Sequence, residues 1–183
     1  RLYRSSVDNA EQEAQLNEIL EAVSSTLELS EIVRAVGHGI RRLVDVDRMD
    51  VVLGSLSGDV YDLLRVTMDG DNLDLAQERR PIISNTALQR SYIEGTDYLY
   101  DAESSEVSIF DDLRTWFANG EQIGIVMPLM TGGENLGAVH IGSQVSNLKT
   151  FQKNRPLLIR ISQLVASSIQ NARLFNQAVD LQV

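Results

Sequence analysis

His140 is the residue whose type and position point most directly to a binding role. Its sequence neighbours are Val139 and Ile141, and successive side chains of a β-strand point to opposite faces of the sheet. If these two apolar residues face packed helices, His140 faces the other side of the sheet. The small residues Ala138 and Gly142 share its parity. The alternative is therefore a hydrogen-bonded histidine beneath closely packed helices.

The sequence lacks the residue sets that common catalytic and metal sites need. It contains no cysteine, which excludes thiolate metal sites, cysteine nucleophiles and cofactors attached through a thioether. His38 and His140 are far apart, and neither belongs to a metal-binding spacing. The paired glycines 132 and 133 fall in a predicted hairpin turn. A glycine-rich phosphate-binding loop would lie between a strand and a helix, so these glycines do not indicate one. We therefore expect no metal site, no covalent cofactor and no enzymatic activity.

Composition indicates one acidic globular domain. The chain has 183 residues, 43% hydrophobic and 23% charged, with a net charge of −10, and such a length suits one core with terminal extensions. The negative charge repels phosphate backbones, so no nucleic-acid partner is expected. No apolar stretch approaches the ~20 residues that cross a bilayer, so no membrane insertion is expected. Absence of cysteine and of an N-terminal secretory signal favours the cytoplasm.

Helices are predicted at both ends of the chain. Apolar residues spaced three and four apart predict an amphipathic helix over 16–27. Ser30 is expected to cap a second helix with an apolar stripe that reaches Leu43. Pro156 is expected in the first turn of a last helix that continues beyond Phe175.

The middle of the chain combines strands with short helices. Two β-hairpins are predicted, one from segments 49–56 and 60–68 and one from segments 123–130 and 136–141. Segment 69–80 is predicted to be a loop. Short helices are expected from Ser84 to Gly95 and from Asp111 to Asn119, with a short strand at 98–100 between them.

Four short segments, taken with this order of elements, resemble a known family. They read STLELSEIV at 25–33, IVMPL at 125–129, GENLGAV at 133–139 and NARLF at 171–175. They resemble the GAF domains of phosphodiesterases, cyclases, histidine kinases and transcriptional activators. The resemblance implies an α+β fold (an α/β sandwich) with a central antiparallel sheet of five or six strands. It places the terminal helices on one face and a ligand pocket, roofed by loops and short helices, on the other.

The similarity to GAF domains spans residues 16–175. Residues 1–15 are then a helical linker, and residues 176–183 are an outgoing signalling helix. The segment RLYRSSVD at 1–8 also resembles RLFNQAVD at 173–180. Because one GAF domain's last helix becomes the next one's first helix in a tandem array, residues 1–8 are either the end of a preceding copy or a chance agreement between two helix ends.

The resemblance also indicates which side chains bind a ligand. The candidates lie on the strand of His140, on the two short helices and on the strand at 123–130, and they are His140, Arg114, Trp116, Phe117, Tyr92 and Met127. The alternative is ordinary core packing for the aromatic residues and a solvated position for Arg114. Asn147, Lys149 and Phe151 resemble the start of a cyclic-nucleotide signature, but its acidic pair is replaced by Arg155 and Pro156. We favour a structural role for these three residues.

Two functions fit this resemblance. The first is a regulatory domain of a bacterial-type signalling protein, such as a two-component system, that senses a non-covalently bound small molecule and relays its state to linked domains through the terminal helices. The second is a ligand-free dimerisation and relay module whose cavity is filled by Trp116 and Met127. We also expect a parallel homodimer through the first and last helices, because Phe175, Val179 and Val183 recur every four residues, and Leu2 and Val7 extend the other end. The alternative is a monomer whose exposed helix ends fray.

Overall fold

The structure, a computed structural model, describes residues 2–54, 58–81 and 85–181, with side chains from residue 6 onward. Within these ranges the chain forms six helices and six strands. The helices are α1 (Leu2–Ser24), α2 (Leu29–Arg41), α3 (Ala87–Glu94), α4 (Glu106–Ile109), α5 (Asp111–Ala118) and α6 (Leu148–Asp180). The strands are β1 (Arg48–Gly54), β2 (Val60–Asp69), β3 (Asn72–Pro81), β4 (Tyr98–Asp101), β5 (Ile123–Thr131) and β6 (Glu134–Ser143).

All these strands belong to one antiparallel sheet in the order β3-β2-β1-β6-β5-β4. The two predicted hairpins meet at its centre, because β1 pairs with both β2 and β6. Asp50 lies opposite Arg65 on one side and opposite His140 on the other. The predicted α+β fold with an antiparallel sheet is confirmed.

The terminal helices cover one face of the sheet. Helices α2 and α6 pack on the strands, and α1 packs on α2 and α6. At Gly39 a Cβ would lie 2.3 Å from the Cγ1 atom of Ile19, so the glycine permits this close approach of α1 to α2. The main hydrophobic core lies between these helices and the strand residues that point toward them, among them Val51, Ile125 and Val139.

Short helices cover the other face. Leu88 on α3 and Leu113 and Trp116 on α5 pack over Val52 and Ala138 of the sheet. Helix α3 ends at Gly95, which has φ +67° and caps it in the left-handed conformation that glycine favours. Helix α4 was not predicted from the sequence.

Most of segment 69–80, predicted to be a loop, forms strand β3. Strand β3 pairs with β2 over its whole length, after a tight turn at Gly70. It is an edge strand whose side chains are mostly exposed and carry charges such as Glu78 and Arg79. Charged edges discourage pairing with other chains, and they also remove the alternating apolar pattern that identifies a strand.

Three predicted helix starts also differ. Helix α2 begins after Glu28, and Ser30 donates a hydrogen bond to Glu28 instead of capping the helix. Thr86 caps α3, while Ser84 lies outside the described residues. Helix α6 begins after Asn147, whose side chain accepts from the backbone N–H of Thr150. Pro156 therefore lies inside α6, on an exposed position where water can reach the carbonyl that loses its donor.

Both end helices extend beyond the sheet. Helix α1 runs without a break through the predicted boundary at residue 15, and α6 continues to Asp180. Among the described residues, no helix combines the length and apolar character needed to cross a membrane.

Candidate ligand-binding site

A cavity of about 360 Å³ lies between the sheet and the short helices α3 and α5. Ligand pockets in proteins commonly have volumes of ~300–1,000 Å³. The core on the opposite face of the sheet is filled, with a void of only about 10 Å³. Room for a small molecule is therefore found beneath the short helices.

The cavity has an ionic cluster at one end and mainly apolar side chains at the other. Alternate residues of β1 line it, starting with Arg48 and Asp50 and continuing with Val52 and Gly54. On β2 the same order holds, because Asp50 lies opposite Arg65, Val52 opposite Leu63 and Gly54 opposite Tyr61. Helix α3 adds Leu88, Tyr92 and Ile93, and α5 adds Trp116.

A buried ionic cluster forms the charged end. Asp50 accepts hydrogen bonds from Nε of Arg48 at 2.5 Å and from Nε of Arg65 at 2.8 Å. His140 lies behind it, with Nδ1 3.4 Å from Oδ2 of Asp50 and Nε2 2.9 Å from Oε1 of Glu121. Tyr100 donates to the same oxygen of Glu121 at 3.1 Å. Both imidazole nitrogens face carboxylate oxygens, so the arrangement suits the doubly protonated imidazolium.

The pKa values in the cluster follow from burial and from these contacts. Burial alone would lower the pKa of His140, but the charge of Glu121 and the hydrogen bonds to both carboxylates raise it to about 9. Burial alone would raise the pKa of Asp50, whereas His140 and Arg48 hold it well below its usual range. Burial and the neighbouring Glu121 raise the pKa of Tyr100, which keeps its hydroxyl a donor. The cluster holds three cations and two carboxylates at neutral pH.

Trp116 forms the inner wall of the cavity. Its ring stacks on His140 at a centroid distance of 3.6 Å and an angle of 13°. The Cζ atom of Arg48 lies 5.6 Å from the centroid of the same ring. The indole thus lies close to two cations, which the negative electrostatic potential of an aromatic face attracts.

Asp112 joins the two roof helices. Its carboxylate accepts from the backbone N–H of Ala87 at 2.9 Å and of Leu88 at 3.1 Å, both in the first turn of α3, and from that of Leu113 in α5 at 2.9 Å. Burial raises its pKa, and these three backbone hydrogen bonds oppose the shift. Asn135 fixes the other end of α3 by donating to the carbonyl of Ser91 at 3.3 Å.

Solved structures with this architecture include GAF domains. The chain matches the GAF domain of an Acinetobacter phosphoenolpyruvate-protein phosphotransferase with a TM-score of 0.69 and 12% identity, covering 91% of this chain and 98% of that one. It matches the A. aeolicus nlh2 GAF domain in an inactive state with a TM-score of 0.64 and 12% identity, covering 88% and 97%. A third match is the GAF domain of a Bacillus halodurans two-component sensor histidine kinase, with a TM-score of 0.63 and 17% identity, covering 82% and 99%.

This chain has the GAF fold. No protein-family model and no curated protein sequence matches it. In this fold the cavity and the terminal helices lie on opposite faces of one sheet. Strand β1 contacts both, because Asp50 and Val52 point to the cavity while Met49 and Val51 point to the helices.

The structure brings together only some of the six predicted site residues. Tyr92 and Trp116 line the cavity. His140 points to the cavity side of the sheet, as its parity predicts, but it is fully buried behind Trp116. It therefore acts on the cavity through charge and through the position of Trp116.

The other three predicted site residues lie elsewhere. Arg114 is on the exposed side of α5, where it pairs with Asp111 and donates to the carbonyl of Ser108. Phe117 packs against Tyr100 at a centroid distance of 5.8 Å. The placement of Met127 at the cavity is corrected, because its side chain lies in the core beneath the terminal helices. It shares the parity of Ile125 on β5, and both point to the helix face.

The sequence reasoning missed the charged residues of the cluster. Asp50 carries a signal that it overlooked, since a carboxylate interrupts the apolar run 49–53 and charged residues are rarely buried without partners. Arg65 has the same parity as Leu63 on β2 and faces Asp50. Glu121 lies in the turn before β5, and nothing in the sequence around it indicates a buried position.

The structure also bears on metal binding and on the segment that resembles a cyclic-nucleotide signature. Within the described residues, no group of three or more histidine, cysteine or acidic side chains is arranged to hold a metal ion. Asn147 caps α6, Lys149 is exposed and Phe151 is buried in the core under the helices. These placements agree with the structural role favoured for the three residues.

Proposed function

We propose that this GAF domain is a regulatory sensor that binds a small molecule non-covalently in the cavity and performs no chemistry itself. The cavity carries the proposal, because it offers apolar walls and a few fixed charged groups around one space. Asp50 and His140 are engaged in ion pairs, which fits binding better than proton transfer. Trp116 fills only the inner end, so the pocketless relay module has less support.

The sheet supplies a route from the cavity to the terminal helices. A ligand beside Asp50 and Val52 touches β1, whose alternate residues pack under α2 and α6. Such a ligand shifts the helices only if it binds two helix arrangements with different affinities. In the solved matches, GAF domains belong to proteins named as a phosphotransferase and a sensor histidine kinase. We propose a comparable role here, within a larger signalling protein whose linked domains receive the change through α1 and α6.

Ligand screening tests the sensor proposal. We expect at least one compound from a panel of nucleotides, amino acids, oxo-acids, tetrapyrroles and inorganic anions to raise the thermal unfolding temperature of the domain. Leu63→Phe adds bulk inside the cavity and should abolish that stabilisation. Val145→Phe, at an exposed position away from the cavity, is the matched control and should keep it. Compounds that stabilise Leu63→Phe as strongly as the unchanged protein would contradict the proposal.

We also propose that the domain forms a parallel homodimer through α1 and α6. Leu174, Phe175 and Val179 near the end of α6 are exposed, as is Val7 on α1, and a neighbouring helix can bury them. Leu2 and Val183 are also predicted from the sequence to belong to this surface, but their side chains lie outside the part of the chain that the structure describes.

Light scattering at several concentrations tests the dimer. We expect the mass of a dimer, and we expect Phe175→Glu to shift the equilibrium toward the monomer because it places a charge in the apolar contact. Gln177→Glu adds the same charge to the same part of α6 and serves as the control. A monomeric mass for the unchanged protein at high concentration would overturn this proposal.

A further inference from the structure

We infer that the ligand is an amphipathic organic acid, whose single carboxylate binds at Arg48 and Arg65 and whose apolar body lies along Val52, Leu63 and Leu88. This inference rests on the proposed sensor function and adds the chemical class of the ligand. Its basis is the unequal distribution of charge along the cavity.

The charged end of the cavity holds one more cation than it holds carboxylates. Asp50 is paired with Arg48, Arg65 and His140, and Glu121 is paired with His140. Both acids are already satisfied, so the two arginines at the cavity carry the excess positive charge. A ligand with one negative charge neutralises it, whereas a phosphate monoester brings up to two.

The other carboxylates that line the cavity have hydrogen-bond or ion-pair partners of their own. Asp112 is held by three backbone N–H groups at the first turns of α3 and α5, where the helix dipole also favours a negative charge. Asp111 pairs with Arg114. At the apolar end, Arg80 pairs with Glu78 through a hydrogen bond of 2.7 Å.

The two arginines also have suitable donors. Within the described residues Asp50 accepts from the Nε atom of each guanidinium. A guanidinium carries five N–H donors in a planar fork that matches a carboxylate. Both side chains line the cavity, so their amino groups can hold a second carboxylate there.

The rest of the cavity fits an apolar body. Strand residues two apart are separated by about 7 Å, so Val52 lies one such step from Asp50 and Gly54 lies two. Leu63 faces the same space. Tyr92 lies over Gly54, because a Cβ added to Gly54 would lie 2.5 Å from the hydroxyl oxygen of Tyr92. Tyr92 therefore limits the length of the ligand, and a body of about 7–10 Å fits.

Matched probes of different charge test the inference. Octanoate, octanamide and octylamine share one chain and differ in the head group, and 3-phenylpropionate with its amide repeats the comparison for a ring. We expect calorimetry on the unchanged protein to show octanoate binding about tenfold or more tightly than octanamide, with no binding of octylamine. We expect the phenylpropionate pair to show the same preference for the acid.

Two arginine variants assign the preference to the charged end. Arg65→Gln should weaken octanoate binding about tenfold and leave octanamide binding unchanged. Arg79→Gln removes the same charge on β3, where Arg79 pairs with Asp62, and should leave both affinities unchanged. Octanamide or octylamine binding as tightly as octanoate would overturn the inference, as would acids that fail to bind. Either result leaves the sensor proposal standing if another compound binds and loses its effect in Leu63→Phe.

Discussion

Replacing His140 with phenylalanine is expected to lower the free energy of unfolding by about 3–5 kcal/mol. Phenylalanine keeps an aromatic ring beneath Trp116, but it removes the cation between Asp50 and Glu121. Both acids have at least nine-tenths of their surface buried, and a buried charge that loses its partner is strongly destabilising. Urea unfolding of the two proteins, followed by circular dichroism, measures the difference.

A second substitution shows whether the loss comes from the unpaired carboxylate. In the His140→Phe background, Glu121→Gln removes one stranded charge and keeps a side chain of nearly the same shape. We expect it to recover part of the lost stability. A His140→Phe protein within about 1 kcal/mol of the unchanged domain would show that the cluster is not ionic, because loss of a buried charge partner costs more than that.

The stability of the domain is expected to fall by about 3 kcal/mol as the pH rises from 6.5 to 9. The pKa of His140 is raised in the folded state from 6.5 to about 9, so the folded protein binds its proton more tightly than the unfolded chain does. The resulting stabilisation is fully present below pH 6.5 and is lost as the pH passes through the folded pKa. The lowered pKa of Asp50 changes the stability only in acid, because the stabilisation that it provides is lost as the pH falls below the ordinary value of 3.8.

The two histidines of the chain provide the matched pair for this pH experiment. His38 is exposed on α2, so His38→Gln should keep the decline, whereas His140→Phe should remove it. In the His38→Gln protein the remaining imidazole belongs to His140, and its NMR signals report one titration directly. A titration midpoint at or below pH 6.5, with stability that does not change up to pH 9, would contradict the raised pKa.

Replacement of His140 is a poor test of ligand sensing. If His140 touched the ligand, His140→Ala would distinguish a sensor from a passive relay. The structure places it behind Trp116 in a buried ionic cluster. Loss of signalling in that variant would therefore reflect loss of stability. Leu63→Phe and Arg65→Gln alter the cavity itself and are better tests of sensing.

The sequence predicted those parts of the fold whose elements have strong local patterns. The hairpins β1-β2 and β5-β6 follow from alternating apolar runs and turn residues, and α3 and α5 follow from their end signals. Strand β3 could not be recognised in the same way, since an exposed edge strand needs no apolar face. The start of α6 was missed because Pro156 suggested a first turn, whereas Asn147 provides the cap.

The candidate site was harder to predict because its partners are distant in the sequence. Parity placed His140 on the cavity side, but Asp50 is 90 residues away from it. Their contact depends on β1 pairing with β6, which no local pattern reveals. Met127 was assigned to the cavity by size and chemistry, although its parity with Ile125 assigns it to the helix face. The spacing of side chains along each strand is thus a better guide than residue type.

Trp116 makes the central claim directly measurable, because it is the only tryptophan in the sequence and it lines the cavity. Its fluorescence should be recorded while the domain is titrated with each compound that raises the unfolding temperature. We expect a saturable change in Trp116 emission with the same dissociation constant as calorimetry gives, and loss of both signals in Leu63→Phe. Stabilising compounds that leave the emission unchanged and bind Leu63→Phe equally well would place the ligand outside the cavity and contradict the account.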